Sequence, residues 1–519
     1  MDAGDDPALG FGAPARNGSP RSLSAIARHV SEDYTPPAMH QKSRALRYLM
    51  PSIADLLFVG LLLTRIQPTL FNDADTGWHL WAGSETLAHG IGPIPDALTF
   101  TQSGVMFENV EWLGEVVLVL FYRHAGYLGI AVLSGVLFAA TFSWLYRLLL
   151  RESEDPVAAL VVTVMAAQIT LIQFLARPVI FSFPLFLAVH ELARRPDRRT
   201  VWLLPILTVL WANVHGSAYF APAIAAYYWI SKPGKNALGL GLLLSFIALG
   251  FTPWGFTWVY KQVLSNQQYF GQVEEWMSPR FNELRFLPFF LAILIALGAR
   301  WGAPRLSRRD AIWGLGWLAA TLLSARLGPY AMLAWAPYLV KDLRQGRLVD
   351  LAPTLRRMWT SLREKLEPVE AILRPRVWPV LLGGFALLFV PILAPLYPSL
   401  QDGFPDTRFP KAALREVVRL DPGSRVLCNY SWGGFVSWES NYRWKTFIDG
   451  RAGFFDSAML DDYLTMVTLR PGWQDRLNAW SPDWLLLSPD LPLVSALPLT
   501  GKWRVAYQDQ VAALLVPIH

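Results

Sequence analysis

The sequence predicts a polytopic α-helical membrane protein of about eleven spans with an external C-terminal α/β domain. Three observations carry this. First, 53% of the 519 residues are hydrophobic and only 17% charged, where a soluble domain carries roughly 25% charged residues. The charge is replaced by apolar and aromatic mass, 29 Phe, 23 Trp and 17 Tyr, and the mean hydropathy is +0.29. Second, long apolar runs recur between residues 50 and 397. Third, beyond 397 strand-like and helix-like stretches alternate, the pattern of a layered α/β unit. Disordered, collagen-like and disulfide-stapled classes are excluded, the last because Cys428 is the single cysteine. A net charge of +6 does not point to nucleic acid here. The basic residues lie in short loops between apolar runs, where the cytoplasmic membrane face is their partner.

Residues 1–47, rich in Pro, Ser, Gly and Arg without an apolar run, read as a disordered cytoplasmic tail. The membrane domain covers 48–399. Its first span lies at about 50–70 and is followed by a polar external loop at 71–125. Further spans fall near 126–148, 156–175, 178–193, 201–213, 217–231, 236–252, 286–300, 311–325, 329–341 and 377–397. Several are shorter than the ~20 residues that cross the hydrocarbon core, so they are extended by flanking residues or are broken helices. Segment 109–124 could be counted as a further span, and the loop charges decide against it. With 109–124 lying at the interface, Arg194, Arg195, Arg198, Arg199, Lys232, Lys235, Arg300, Arg305, Arg308, Arg309 and the run from Lys341 to Arg376 all fall on one side. The stretch 71–122 has no Lys or Arg at all. The positive-inside rule then makes the arginine loops cytoplasmic and the acidic loop external. Glu108, Glu111 and Glu115 recur at i, i+3 and i+7, one stripe of a helix at the membrane surface that reads first as a solvated face.

Residues 400–519 form the external domain. SRVLCNY (424–430), KTFIDGR (445–451) and DWLLLSP (483–489) read as buried strands of a mainly parallel sheet. GGFVSWES, 458–469 and WQDRLNAW read as helices, and WRVAYQDQ with VAALLVP as a closing pair of strands.

The chemistry is sought among polar residues that hydropathy does not explain. In this topology Asn72, Asp73, Asp75, Trp78 and His79 (FNDADTGWH), the three glutamates, Arg177 (LARPVIF), Asn213 and His215 (WANVHG), Glu274, Glu275 and Trp276 (VEEWMSP) and Arg326 (ARLGPY) all fall at external ends. That convergence predicts one external cavity. Asp73 and Asp75 form a D-x-D pair able to hold a divalent cation, Mg or Mn, or to divide into a base and an orienting partner. Arg177 and Arg326 offer planar forks for phosphate oxygens, although an arginine at a span end is more often an anchor in the headgroups. His79, Glu111, Asn213, His215 and Glu275 complete the candidate substrate-binding set. Asp449 and Arg451 are weaker candidates, for acceptor contact, and read first as a structural turn.

The run NDADTGWHLWAGSETLAHGIGPIPDALTF, with EWLGE downstream and the later ARP, WANVHG, VEEW and CNYSWGG…FIDGR stretches, resembles a bacterial branch of the GT-C glycosyltransferases over about residues 50–519. The resemblance implies a plasma-membrane enzyme of the cell envelope that takes a sugar from a polyprenyl-phosphate carrier. It passes that sugar, with inversion, to a glycan, lipid or protein acceptor outside. By the resemblance Asp73 or Asp75 is the base that activates the acceptor, with Asp73, nearer the membrane, preferred. Some relatives bind a divalent ion and others use the acidic pair without one, so no cofactor is required by it. The alternative is a transporter or scramblase for a lipid-linked or polar substrate. It calls for inverted repeats and midplane charge, and hydropathy shows neither.

Overall fold

The computed structural model describes residues 51–231, 236–262, 277–280, 282–300, 307–345, 348–372, 377–451 and 453–518. Residues 1–50, the stretch 263–276 with Glu274, Glu275 and Trp276, and several short loops lie outside the described residues.

The first helix, α1 (Ile53–Arg65), opens on a capping box in which Ser52 and Asp55 satisfy each other's backbone N–H groups. A 3₁₀ turn over Pro68–Phe71 leads to α2 (Asp75–His89), which carries the D-x-D segment at its start. A small hairpin of β1 (Ile94–Pro95) and β2 (Met106–Phe107) precedes α3 (Trp112–Ser153). At Ala125 and Gly126 the helical dihedrals fail. Gly126, at φ +60° and ψ −148°, occupies a conformation that only glycine adopts readily. The break divides α3 into a leg over 112–124 and a leg over 127–153. The first leg is the segment expected to be an interfacial helix. It is helical, and it turns away from the apolar leg that follows.

The chain continues through α4 (Pro156–Thr170), α5 (Ser182–Arg194), α6 (Thr200–Val214), α7 (Phe220–Ser231), α8 (Asn236–Ala248), α9 (Leu287–Ala299), α10 (Arg308–Leu323), α11 (Gly328–Gln345), α12 (Pro353–Ile372), α13 (Val377–Leu388) and α14 (Val390–Leu393). Among the described residues two helical stretches, Trp112–Ser153 and Pro156–Gln173, are long and apolar enough to cross a membrane. A third counts if the pair Trp378–Leu388 and Val390–Leu396, bent by 83°, is one span. The other helices at the expected spans are shorter. Prolines end or interrupt many of them, as Pro178 does before α5, Pro205 inside α6 and Pro337 inside α11, because proline removes a backbone donor and crowds the preceding turn. The helices are therefore present where the apolar runs lie, while the count of about eleven spans is not reproduced by length and composition. Their outer faces carry exposed apolar side chains such as Leu294, Leu297 and Val380.

The C-terminal part contains α15 (Lys411–Leu420), β3 (Arg425–Cys428), α16 (Gly433–Glu439), β4 (Lys445–Thr446), α17 (Ser457–Val467), α18 (Trp473–Trp480), β5 (Trp484–Leu487), α19 (Pro492–Ala496), β6 (Trp503–Gln508) and β7 (Ala513–Pro517). All five strands occur at the predicted segments. Their sheet has the order β4-β3-β5-β7-β6. Pairs β3–β4 and β3–β5 are parallel, and β5–β7 and β6–β7 are antiparallel. The sheet is thus evenly mixed rather than mainly parallel, because the closing hairpin pairs through β7 with β5 and supplies half of the ladder. Strand β4 is also shorter than the KTFIDGR segment, whose second half turns out of the sheet toward the site.

The loop after the first helix is tied into this unit. Thr99 bridges in parallel to Thr446, Phe100 N–H donates to the Thr446 carbonyl and Thr446 N–H to the Leu98 carbonyl. Cys428 is buried, a small side chain packed in the core beside Val426.

Candidate functional site

Helix α2 is held between the first leg of α3 and helix α16 by close backbone approaches. A methyl group at Gly83 would lie 2.7 Å from the Glu115 carbonyl carbon, and one at Gly77 would lie 2.8 Å from the Gly434 carbonyl carbon. Fixed this way, the start of α2 faces a cavity of about 560 Å³. Its wall includes Asp75, Trp78, His79, Glu111, Glu115, Arg177, His215 and Arg326, together with Gly450, Arg451 and Phe454 from the C-terminal unit. The structure therefore brings together six of the nine candidate residues, from five separated stretches of sequence.

Asp75 and Arg177 form the charged floor. Arg177 Nη1 lies 3.0 Å from Asp75 Oδ2, and its Nη2 pairs with Asp73. Asp73 Oδ1 accepts the Asp75 N–H at 2.9 Å, so the pair is an N-terminal turn of α2 clamped by one guanidinium. Asp75 lines the cavity and Asp73 is not part of its wall. The Asp73 carboxylate is spent on the α2 backbone and on Arg177. Arg177 thus meets both carboxylates through its terminal nitrogens. Behind Asp75 sits Gly450. A methyl group there would strike Asp75 Oδ1 and come within 2.6 Å of its Cγ.

Glu111 directly precedes α3 and His215 directly follows α6. Glu111 Oε1 accepts the Gly216 N–H at 3.1 Å and lies 3.6 Å from His215 Nε2. Among the described residues both of these contacts fall on Oε1. Burial pushes the Glu111 carboxyl up to about 7, against the opposing pull of the Gly216 N–H, Arg326 and Arg177. His215 is pushed down to about 3 by burial, with Arg326 and Arg177 adding to the effect. Its Nδ1 accepts the Ser217 N–H at 3.2 Å and lies within hydrogen-bond distance of Ser182 and Ser217 hydroxyls. The imidazole is therefore neutral, with its proton on Nε2, facing Glu111.

The remaining expectations divide. His79 lines the cavity, but it is buried, and its Nδ1 pairs with Glu115 Oε1 at 2.8 Å. Burial holds the ring well below the usual imidazole range. Asn213 is not part of the wall. Its Oδ1 accepts from Trp112 Nε1 and its amide donates to the Val209 and Phe251 carbonyls, so it locks α6 to α3 and is not a substrate ligand. The glutamate stripe is also corrected. Helix α3 begins at Trp112, so Glu108 lies before it, half-buried on the cavity wall and paired with Lys261 at 2.6 Å, whereas Glu115 is fully buried. Tertiary packing of α2 over this leg covers the face that the periodicity assigned to water. Asp449 and Arg451 form a buried structural turn, in which Asp449 Oδ1 accepts the Arg451 N–H at 3.0 Å. The Arg451 guanidinium is fully buried between Asp449 and Asp96, 2.7 Å from each.

Among the described residues no group of three or more His, Cys, Asp or Glu stands close enough to hold a metal ion, and the two carboxylates of the D-x-D pair share the Arg177 cation.

Sequence reasoning missed Gly450, Lys261, Phe107 and Phe454, all of which line the cavity. The one available signal was a glycine between two charged residues in FIDGR, where a side chain had to be absent.

Compared by sequence, the chain matches no family model and no curated protein. Compared by structure, it is similar to the oligosaccharyltransferase of Archaeoglobus fulgidus, whose crystal structure carries a tethered acceptor peptide with an NVT sequon. Identity is 12% and the TM-score 0.40, over 84% of this chain and 68% of that one. A likeness this loose carries no argument.

Proposed function

We propose that the chain is an inverting membrane glycosyltransferase that moves a sugar from a polyprenyl-phosphate carrier to a hydroxyl-bearing acceptor on the external face. The observation that carries it is the union, in one cavity, of Arg326 and the Arg177–Asp75 pair with Glu111, a carboxyl that titrates near neutrality. The resemblance of the NDADTGWH and later stretches to the GT-C enzymes supplies the reaction class.

Arg326, helped by Arg177, holds the donor phosphate. The acceptor oxygen attacks the anomeric carbon on the face opposite that phosphate. Its proton passes to Glu111 Oε2 while the carbon–oxygen bond to phosphate breaks. The electron pair leaves with polyprenyl phosphate, whose charge the guanidiniums stabilise. Glu111 suits the base better than Asp75, since a base works best with a pKa near the operating pH. Asp75, by contrast, would forfeit the Arg177 ion pair on taking a proton. Asp75 instead orients Arg177 and the acceptor hydroxyl. His215 Nε2–H steadies Glu111.

Mass spectrometry of copurifying lipids, joined to a transfer assay with the lipid found, tests the reading. A retained polyprenyl-phosphate sugar is expected, with its turnover reduced at least ~10²-fold in Glu111→Gln. Undiminished turnover in that variant removes this mechanism. A wild-type protein that retains no phosphate-linked lipid removes the donor class.

A further inference from the structure

The molecule holds a second open cavity, also of about 560 Å³, that shares no wall residue with the first. It lies beside the break in α3 at Gly126, between the end of that helix's first leg, the chain leading into α15 and the end of α16. Its wall is within reach of solvent. Tyr122, Trp438 and Tyr442 are half-buried, and Asp402, Glu439 and Asn441 are exposed. The transfer reading uses none of them.

Three aromatic rings form the inner corner. Tyr122 stands at 73° to Trp438 with centres 5.4 Å apart, and Trp438 at 65° to Tyr442 with centres 6.0 Å apart. Beneath them the buried Tyr127 hydroxyl accepts from Trp438 Nε1 at 3.0 Å and donates to Glu439 Oε1 at 3.1 Å. That relay fixes a carboxylate beside the rings. Rings set at such steep angles offer no shared flat surface on which a cyclic ligand could lie, and they wall a corner suited to a compact group.

Tyr442 keeps its place at a cost. Asn441 and Tyr442 follow α16 in left-handed backbone, at φ 49° and 63°, which costs a non-glycine residue about 1–3 kcal/mol. The turn itself needs only the Tyr442 N–H, which donates to the Ser437 carbonyl at 2.8 Å. Glycine would serve that turn better, so the backbone does not account for the ring.

Charge selects the ligand. Asp402 and Lys411 both lie close enough to Glu439 to act on its carboxyl. Lys411 is engaged elsewhere, with Asp406 at 3.1 Å and the Asp402 carbonyl at 3.0 Å. Arg415, one turn further along α15, is near enough to act on Tyr507 of β6. Among the described residues no cation forms an ion pair with Asp402 or Glu439. Loss of water in the seam, with Asp402 adding to it, holds the Glu439 carboxyl above its ordinary range against the pull of Tyr127 and Lys411. Two carboxylates beside aromatic rings repel an anion, and a small organic cation is the ligand that uses both features.

We propose that this second cavity binds an organic ammonium group, walled by Tyr122, Trp438 and Tyr442 and balanced in charge by Asp402 and Glu439. The proposal does not rest on the transfer reading. A free solute and a lipid headgroup can each carry such a group, and the experiment separates them.

The test uses the full chain in phosphatidylglycerol nanodiscs, with choline and its uncharged isostere, carbon in place of nitrogen, as probes read by saturation-transfer NMR. Choline is expected to bind the wild type at least about 5-fold more tightly than the isostere. Glu439→Gln, which keeps an acceptor for Tyr127, should raise the choline Kd roughly 3- to 5-fold, and joined to Asp402→Asn at least ~10-fold. Tyr442→Leu should raise it roughly 2- to 5-fold. The two carboxylate substitutions should leave the melting temperature close to that of the wild type, so that lost binding is not lost folding. Equal affinity for choline and the isostere, binding of neither, or an unchanged Kd in the double variant overturns the proposal. Adding phosphatidylcholine to the nanodiscs identifies the source: a raised apparent Kd for free choline shows that the headgroup reaches the cavity, and an unchanged one that the ligand is a solute.

Discussion

Gly450→Ala puts a methyl group against the Asp75 carboxylate. The new Cβ would overlap Oδ1 and lie 2.6 Å from Cγ and 2.9 Å from Oδ2. Relief requires Asp75 or the 449–451 turn to shift by about 1 Å, and displacement on that scale at a reacting centre can cost about 10² in rate. Neither side yields easily. Asp75 is held by Arg177 at 3.0 Å, and the turn is pinned by the fully buried Arg451 between Asp449 and Asp96. Overpacking in such a setting costs about 1–3 kcal/mol. A double-mutant cycle assigns that cost. In the wild-type background Gly450→Ala should lower stability by that amount and transfer by about 10²-fold. In an Asp75→Ala background the obstructing carboxylate is gone, and the same substitution should cost under about 0.5 kcal/mol. The assay is chemical or thermal unfolding of the four proteins, with transfer measured alongside. An equal cost in both backgrounds would refute the contact, and with it the claim that the C-terminal unit sets the position of Asp75.

Glu111 predicts a pH limb: kcat/KM should rise as pH increases through about 7, and Glu111→Gln should abolish the limb with the activity. Because the folded carboxyl titrates above its unfolded value, its contribution to stability is complete below the ordinary carboxylate range and is lost as pH rises through about 7. Glu111→Gln should therefore be the more stable protein at pH 8, by denaturant midpoint. Arg326→Lys should weaken retention of polyprenyl phosphate at least ~10-fold, since a point charge does not reproduce the guanidinium fork, and wild-type retention would remove Arg326 from the phosphate site. Asp96→Ala should lower stability by about 3 kcal/mol, the cost of stripping one partner from a buried ion pair; a change under about 0.5 kcal/mol would show that Asp449 alone satisfies Arg451. A cysteine at the exposed Ala458 should react with impermeant thiol reagent from outside intact cells while buried Cys428 stays silent, and labelling only from the cytoplasmic side would invert the topology.

Hydropathy and strand–helix alternation were enough to place helices at the apolar runs, the strands of the C-terminal unit and part of the cavity wall. These signals are local: an apolar run reports its own burial, and an arginine or aspartate that hydropathy cannot explain reports that something nearby compensates it. Asp75, His79, Glu111, Arg177, His215 and Arg326 were all legible on that ground. What the sequence could not supply was pairing. Asp73 and Asp75 are alike in FNDADTGWH, and only the fold commits Asp73 to the α2 backbone and leaves Asp75 on the cavity. Asn213 and His215 are two residues apart, yet one is consumed by Trp112 and the other faces Glu111. The stripe of Glu108, Glu111 and Glu115 has the spacing of a wet face, and the packing of α2 over α3 buries its last member beside His79. Gly450 has no side chain from which chemistry could be read. Its importance lies in the empty volume it leaves for a carboxylate nearly four hundred residues earlier in the chain, and a demand for empty space between distant segments exists only once they have packed.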